Sequence, residues 1–438
     1  MILEEIVKKA ISQGAQQAEV FWVNSRSTPV GFEANRLKEM QTRENTGVAL
    51  RLVKNGRIGF SSTTNMDDID GLVQRALAVA EFGASAYFIL PSDIEFPNVQ
   101  THDPNVEKVS FKDMVDLGQQ MIDKVRAANK ELLCEASVSK SYSEQHIVNS
   151  NGGDAYYQHS SFNIALEGNL IRGTDMLFVG EHTSSCRPVT DTKAITDKVV
   201  EQLELARETV QSPHGKMQVM FTPSGVANTL LSPLLSGFNG KMVLQGASPL
   251  VNKLGQKILA SNISIWDDPT VPYIPGSRPC DDEGIPSQRI DLVQEGVAKS
   301  FYYDLQTAGL AKTKTTASGE RFLSSLPTPG TSVLLVREGD TPYRKAIEQM
   351  EDGLIVEQLL GAGQGNVLGG EFNGNVLLGF RVQNGKITGR VKDTMVSGNV
   401  YDVLKENVLI SSESRWVHGS MRLPYILASG VSVSSKAE

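Results

Sequence analysis

Leu3, Ile6, Val7 and Ala10 recur at spacings of three and four, which predicts one buried face of a helix near the start of the chain. The segment AEVFWVNS is strand-like. In VALRLVKNGRIGFSS the period changes to two: Val48, Leu50 and Leu52 alternate with polar residues, and Ile58 and Phe60 resume the alternation. Asn55-Gly56 between them accept positive φ, so this stretch predicts a type I′ hairpin. Ile69, Leu72, Val73, Ala76, Leu77 and Ala80 return to helical spacing, with Asn65 or Asp67 as candidate caps. Farther on, Met114, Leu117, Met121 and Val125 predict a helix opened by Ser110 and Asp113, and Ile195, Val199, Leu203, Ala206 and Val210 predict another. Between these two helices lie polar, alternating strands, with turns expected at Asn151-Gly152-Gly153 and Gly168-Asn169.

Punctuation divides the chain. Residues 91–109 carry three prolines and little periodicity, and QSPHGK at 211–216 reads as a second junction. The expected units are an N-terminal subdomain over 1–95, a middle subdomain over 96–216 and a C-terminal domain over 217–438. The last opens with MQVMF, a buried-strand run, followed by the loop TPSG and the apolar segment VANTLLSPLLSGF. Beyond that it is rich in glycine, short strands and turns such as Gln383-Asn384-Gly385-Lys386. The fold class predicted is α+β, with helix and antiparallel-sheet units followed by a large Gly-rich antiparallel sheet or half-barrel with few helices. The regular strand-helix alternation of a parallel doubly wound sheet is missing.

The 438 residues carry a net charge of −8, which argues against a dedicated nucleic-acid binder, because phosphate contacts need a basic surface. Three widely spaced cysteines, Cys134, Cys186 and Cys280, read as reduced thiols rather than a disulfide framework. Charged residues interrupt the first segment, so it reads as an amphipathic helix and not a signal peptide. No apolar run reaches the roughly 20 residues that span a bilayer, and the expectation is a cytoplasmic protein without a membrane role.

Candidate chemistry is thin. GAGQG at 361–365 leads into strand and turn, whereas a dinucleotide fingerprint must open a helix. Ser137 and Lys140 match S-x-x-K, but on a strand residues three apart face opposite sides. TPSG at 222–225 could hold an anion at a helix N-terminus, although a simple side-chain cap accounts for it. Asp281-Asp282-Glu283-Gly284 could bind a hard cation or basic groups, or form a solvated or hydrogen-bonded turn. The six histidines, His102, His146, His159, His182, His214 and His418, never form a close pair, and none falls between 215 and 417. A catalytic zinc usually takes three protein ligands, often two of them on one helix.

Three stretches of the last unit together resemble the TldD/PmbA family in order and spacing: GKMVLQGASPLVNKLGQKILASNISIWDDPT, GSRPCDDEGIPSQRIDLVQEGVAKSFYYDLQTA and the segment from MEDGLIVEQLLGAGQG to SGNVYDVL. The likeness extends over nearly the whole chain, including the first hairpin and the Asn149-Ser150-Asn151-Gly152 turn. It implies a three-part metalloprotease that acts on small or unfolded polypeptides. One subunit of that family carries H-E-x-x-x-H, while the PmbA or TldE type lacks it, and the two enclose a chamber. Here the corresponding segment is VANTLLSPLLSGF, which offers Leu, Ser, Pro or Gly at the matching positions, with Pro233 expected to kink or start the helix. His418 falls near the place of a C-terminal Cys ligand, and Thr315-Thr316-Ala317-Ser318-Gly319 departs from the family's Ser-Thr-Gly-Asn. The resemblance therefore implies a subunit that binds no cofactor itself and pairs with a TldD-like, zinc-bearing catalytic subunit. Asp281, Asp282, Glu283, Gly284, Gly363, Gly365, Gly398 and Asn399 are the candidate peptide and chamber contacts, through strand addition. The alternatives are a homodimer that binds peptides without cleaving them, and a peptidase with an unrecognised site.

Overall fold

The computed structural model describes residues 2–173 and 175–435. Its first sheet has seven strands: β1 (Gln17–Glu33), β2 (Arg36–Met40), β3 (Arg43–Lys54), β4 (Arg57–Thr63), β5 (Leu133–Asn149), β6 (Asp154–Arg172) and β7 (Asp175–Ser185). They lie in the order β4-β3-β1-β5-β6-β7, with β2 on the edge of β1. The antiparallel pair β1–β5 runs from Glu19–Asn149 to Phe32–Ala136, so one continuous sheet spans the first two expected subdomains. The local pattern shows which residues alternate, but not that two distant strands are neighbours.

The predicted hairpin at Asn55-Gly56 and the predicted turn at Asn384-Gly385 agree with the structure. Asn55 and Gly56 take φ of 51° and 71°, and Asn384 and Gly385 take 50° and 74°. The helix Phe111–Ala128 begins with a reciprocal Ser110–Asp113 capping box. Helix Ile69–Ala80 is capped instead by Asp68, whose side chain accepts from Gly71 N–H. Gly168-Asn169 is not a turn: β6 continues to Arg172, where Gly173 takes φ of +63°. Helix Lys193–Leu205 stops before Val210, whose N–H already pairs with the Arg390 carbonyl.

The C-terminal part contains an eleven-stranded sheet, part of which closes on itself. Strand β8 (Gly215–Phe221) pairs with Asp352–Leu360 on one side and with Met421–Ser435 on the other. Strands Glu371–Gln383 and Thr394–Asn399 complete the ring. The expected half-barrel is thus a closed barrel, and its β8–(352–360) pair is parallel rather than antiparallel. Parallel neighbours need a long crossover, and more than a hundred residues separate these two in sequence. Alternation along the barrel strands divides two cores. Val219, Phe221, Leu354 and Val356 pack with the helical segment at 226–238. Met220, Ile355, Phe380 and Leu427 pack outward against helices Phe111–Ala128 and Lys193–Leu205. The second core fastens the middle unit to the barrel. Among the described residues no helix is long and apolar enough to cross a membrane.

Candidate functional site

The helical segment after β8 begins at Thr222, which caps it: its Oγ1 accepts from Gly225 N–H and donates to Glu357 Oε2 at 3.1 Å. A wide π-type turn over Val226–Leu231 follows, then α-helix Ser232–Phe238 with Pro233 in its first turn. Proline has no N–H for the preceding turn and is tolerated where a helix starts. Nearly all residues from 222 to 231 are buried; Ser224 and Asn228, one turn apart, are the half-buried pair. Both line a cleft of about 420 Å³ between β5–β7 and the barrel.

His418 reaches the same cleft from the turn joining Leu409–Val417 to Met421–Ser435. Its backbone takes φ of +50°, a conformation uncommon outside glycine and often found at functional positions. The His418 N–H donates to His182 Nε2 on β7 at 3.0 Å, and His418 Nε2 meets Asn228 Oδ1 at 2.9 Å. The amide oxygen can only accept, so this pairing assigns the proton to His418 Nε2, while His182 carries its proton on Nδ1. The two rings lie 5.2 Å apart. Burial, with the His182 ring beside it, holds His418 below the ordinary imidazole range, and Glu181 opposes the shift. Glu181 is engaged by Arg415. Glu357, which also lines the cleft, accepts from Lys198 at 2.7 Å from behind it. Burial works against the charge on Lys198, but Glu357 outweighs it and holds the ammonium above its usual range. On the rim Glu135 and Glu167 sit directly opposite each other across β5 and β6.

A catalytic zinc does not fit this donor set. The His182 Nε2 lone pair is committed to a backbone N–H, His418 Nε2 donates to an amide, and the helix contributes Asn228 and Ser224. Three protein ligands and an open position are required. Among the described residues no group of three or more His, Cys, Asp and Glu is arranged to hold a metal ion. His146 pairs with Asp154 at 2.7 Å, and His159 contacts the Pro275 carbonyl at 2.9 Å. The three thiols are buried and unpaired, and burial pushes Cys134 and Cys186 up to about 11 and about 12, which leaves little thiolate.

The predicted peptide contacts divide into two places. Asp281 and Glu283 have no solvent exposure and Asp282 has 9%. Asp281 Oδ1 accepts from Glu283 and Ile285 N–H, and its Oδ2 from Gly319 N–H. Glu283 Oε1 accepts from Arg51 at 2.6 Å, and Oε2 from Leu305 N–H at 2.7 Å. Gly284 takes φ of +72° and faces Pro91, Ile147 and Ala155. Asp281 and Glu283 are thus buried with their oxygens taken by internal donors, whereas Asp282, whose Oδ2 accepts from Arg321 N–H, lines a second cleft. Gly363 and Gly365 are exposed. Gly363 bridges to Asn373, and Gly398 lies opposite Phe372, so these positions meet around one end of strand Glu371–Gln383. Asn399 caps the turn at 400–403 and donates to the Gly369 carbonyl. GAGQG forms a turn between strands as expected, and Lys140 donates to the Glu107 and Val109 carbonyls, far from any S-x-x-K geometry. Asn228 carries no motif, and His182 stands in the sequence only as one of six scattered histidines. The only local hint was two polar residues four apart in an apolar run; a residue 190 positions away completes the site.

A closed barrel behind a shared sheet, with a cleft where a helix faces a C-terminal turn, defines the architecture. Sequence models of the PmbA/TldA metallopeptidase domain 1, central domain and C-terminal domain match residues 18–80, 104–209 and 214–435. The chain belongs to the PmbA/TldD family of metallopeptidase-like proteins. A metalloprotease of Methanothermobacter thermautotrophicus is 26% identical over 396 residues, covering 85% of this chain and 83% of the relative. An uncharacterized protein of Methanocaldococcus jannaschii is 24% identical over 383 residues, covering 85% and 86%. The crystal structure of TldE from Thermococcus kodakarensis superposes with a TM-score of 0.89 at 22% identity, covering 99% of this chain and 100% of that one. A putative modulator of a DNA gyrase from Thermotoga maritima gives 0.88 at 21% identity, covering 99% of each chain.

Proposed function

We propose that this chain is the TldE-type subunit of a TldD/TldE-like metalloprotease, shaping a chamber for small or unfolded peptides while a TldD-like partner holds the zinc. The observation that carries this reading is Asn228: the residue that the helix turns toward His418 is an amide, and the two imidazoles are committed to a backbone N–H and that amide. Pro233 and the wide turn before it further separate this segment from a helix bearing H-E-x-x-x-H. The likeness to a TldE fold and the metalloprotease names among the relatives support the same role. In this reading the exposed glycines at 363 and 365, with Gly398 and Asn399, border the chamber. The 281–284 turn instead holds the C-terminal domain on the first sheet. The three unpaired thiols fit a reducing cytoplasm.

The test is copurification with a TldD-type partner, with zinc content and cleavage of unfolded casein measured for each chain alone and for the mixture. The expected result is a stable heteromer, with zinc and activity following the partner. Zinc-dependent cleavage by this chain alone overturns the proposal. A homodimer that ignores the partner and binds peptides without cleaving them overturns it in favour of a binding protein.

A further inference from the structure

On the outer face of the barrel lies an apolar crevice of about 370 Å³. Its volume falls in the range of about 300–1,000 Å³ usual for small-molecule sites. The floor is a row of three side chains, Met220, Ile355 and Phe380, which stand side by side because β8, Asp352–Leu360 and Glu371–Gln383 pair in register there. Helix Lys193–Leu205 supplies one wall through Leu205, and helix Tyr343–Glu348 supplies another through Tyr343. Ile387, just beyond the Asn384-Gly385 turn, makes the third. The floor is buried, but Leu205, Tyr343 and Ile387 are each partly open to solvent. A concave site with three apolar walls in contact with solvent gains free energy when an apolar body fills it.

Charge narrows the class of ligand. The lining carries three carboxylates, and each is already paired. Glu357 and Glu201 share the Lys198 ammonium at 2.7 and 3.2 Å, and Glu348 holds Lys345 at 2.8 Å. The two cations at the mouth, Arg344 and Lys386, have no carboxylate within ion-pair distance among the described residues. Arg344 Nε donates to the Tyr343 hydroxyl, and Glu201 acts on the guanidinium only from farther away. Both cations are exposed, so a ligand reaches them. We propose that this crevice binds a small amphipathic carboxylate, its apolar body between Leu205, Tyr343 and Ile387 and its acid group at Arg344 and Lys386. A neutral molecule of the same shape leaves those charges unmet, and an amine meets two like charges. The crevice backs onto the two-histidine cleft. Glu357 lines both, and its second oxygen takes the hydroxyl of Thr222, which caps the segment bearing Asn228. The inference does not depend on the subunit role proposed above, because its readout is binding to this chain alone.

The test is calorimetric titration of the full chain at neutral pH with phenylbutyrate, phenylbutanol and phenylbutylamine, which share one apolar body and differ in charge. One site per chain is expected for the acid. The alcohol should bind about tenfold more weakly, and the amine more weakly still. Arg344→Gln and Lys386→Gln, both at exposed positions, should each weaken the acid about threefold. The double variant should weaken it about tenfold, leave the alcohol unchanged and so abolish the preference between them. Leu205→Ser should weaken acid and alcohol alike, about tenfold, through lost apolar contact. A thermal melt checks that each variant is folded. No binding to the folded wild type, equal affinity for acid and alcohol, a double variant that still prefers the acid, or a folded Leu205→Ser that binds both like wild type overturns the assignment.

Discussion

Replacing Glu19 by Gln tests what holds the C-terminal domain on the first sheet. Glu19 has no exposure; its Oε2 accepts from Arg51 Nη2 at 2.9 Å and its Oε1 from Arg321 Nη1 at 2.8 Å. Arg51 also keeps Glu283 at 2.6 Å. Arg321, whose guanidinium lies 4.2 Å from the Phe21 ring centroid, has no other carboxylate in hydrogen-bond contact among the described residues. Gln preserves shape but removes the charge and presents an amide donor to one guanidinium. At about 4 Å and an effective dielectric of about 20, the lost attraction is about 4 kcal/mol. Breaking a buried pair by deleting one partner costs about 3–5 kcal/mol, in agreement. With a urea slope of about 3 kcal/mol/M, the midpoint should fall by roughly 1–1.5 M. Far-UV circular dichroism and tryptophan fluorescence should both be followed, because a chain with several cores need not unfold in one step. The double variant Glu19→Gln/Arg321→Leu removes the stranded charge and should recover at least half of the loss, since apolar replacement of buried ions is often neutral. An unchanged midpoint in Glu19→Gln, or no recovery in the double variant, refutes the argument.

The same carboxylate should shape the acid limb of stability. Burial alone would raise Glu19, but Arg321 and Arg51 outweigh it and hold it below the usual carboxylate range. Its contribution is therefore present above the unfolded value near 4.5 and lost as pH falls below it, so urea midpoints of Glu19→Gln should depend less on pH than wild type in that acid window. Glu357→Gln leaves the Lys198 ammonium, 11% exposed, with Glu201 Oε2 at 3.2 Å as its remaining carboxylate and should cost about 2 kcal/mol, with Lys198→Met/Glu357→Gln recovering most of it in the same denaturation assay. Gly59→Ala places a methyl 2.1 Å from the Ala76 carbonyl in helix Ile69–Ala80 and should cost about 1–3 kcal/mol; a thermal melt like that of wild type would show that the hairpin and helix do not pack as described.

Local physics was legible in the chain. The positive-φ pairs Asn55-Gly56 and Asn384-Gly385, the Ser110–Asp113 box and the helical faces at 3–10 and 69–80 rest on neighbours in sequence, and the structure contains each of them. The absence of histidine between 215 and 417 was likewise readable and limited the metal chemistry of the last domain. One misreading was local, and other features needed a distant partner. The helix cap is Asp68 rather than Asn65 or Asp67, because one carboxylate in that cluster reaches Gly71 N–H. The hydrogen-bonded turn at 281–284 was among the expectations, but its partners Arg51 and Arg321 are far away in sequence and nothing nearby announces them. β1 and β5 are more than a hundred residues apart, so only their pairing merges two expected subdomains into one sheet. The candidate site follows the same rule: His182, Asn228 and His418 come from three separate elements, and barrel closure with the second core brings them together. By itself the sequence determined the Asn-Gly turns, the Ser110 cap and the helical faces, because those depend on short-range sterics. The shared sheet, the buried ion cluster and the two-histidine cleft depend on long-range packing, and only the tertiary structure decided them.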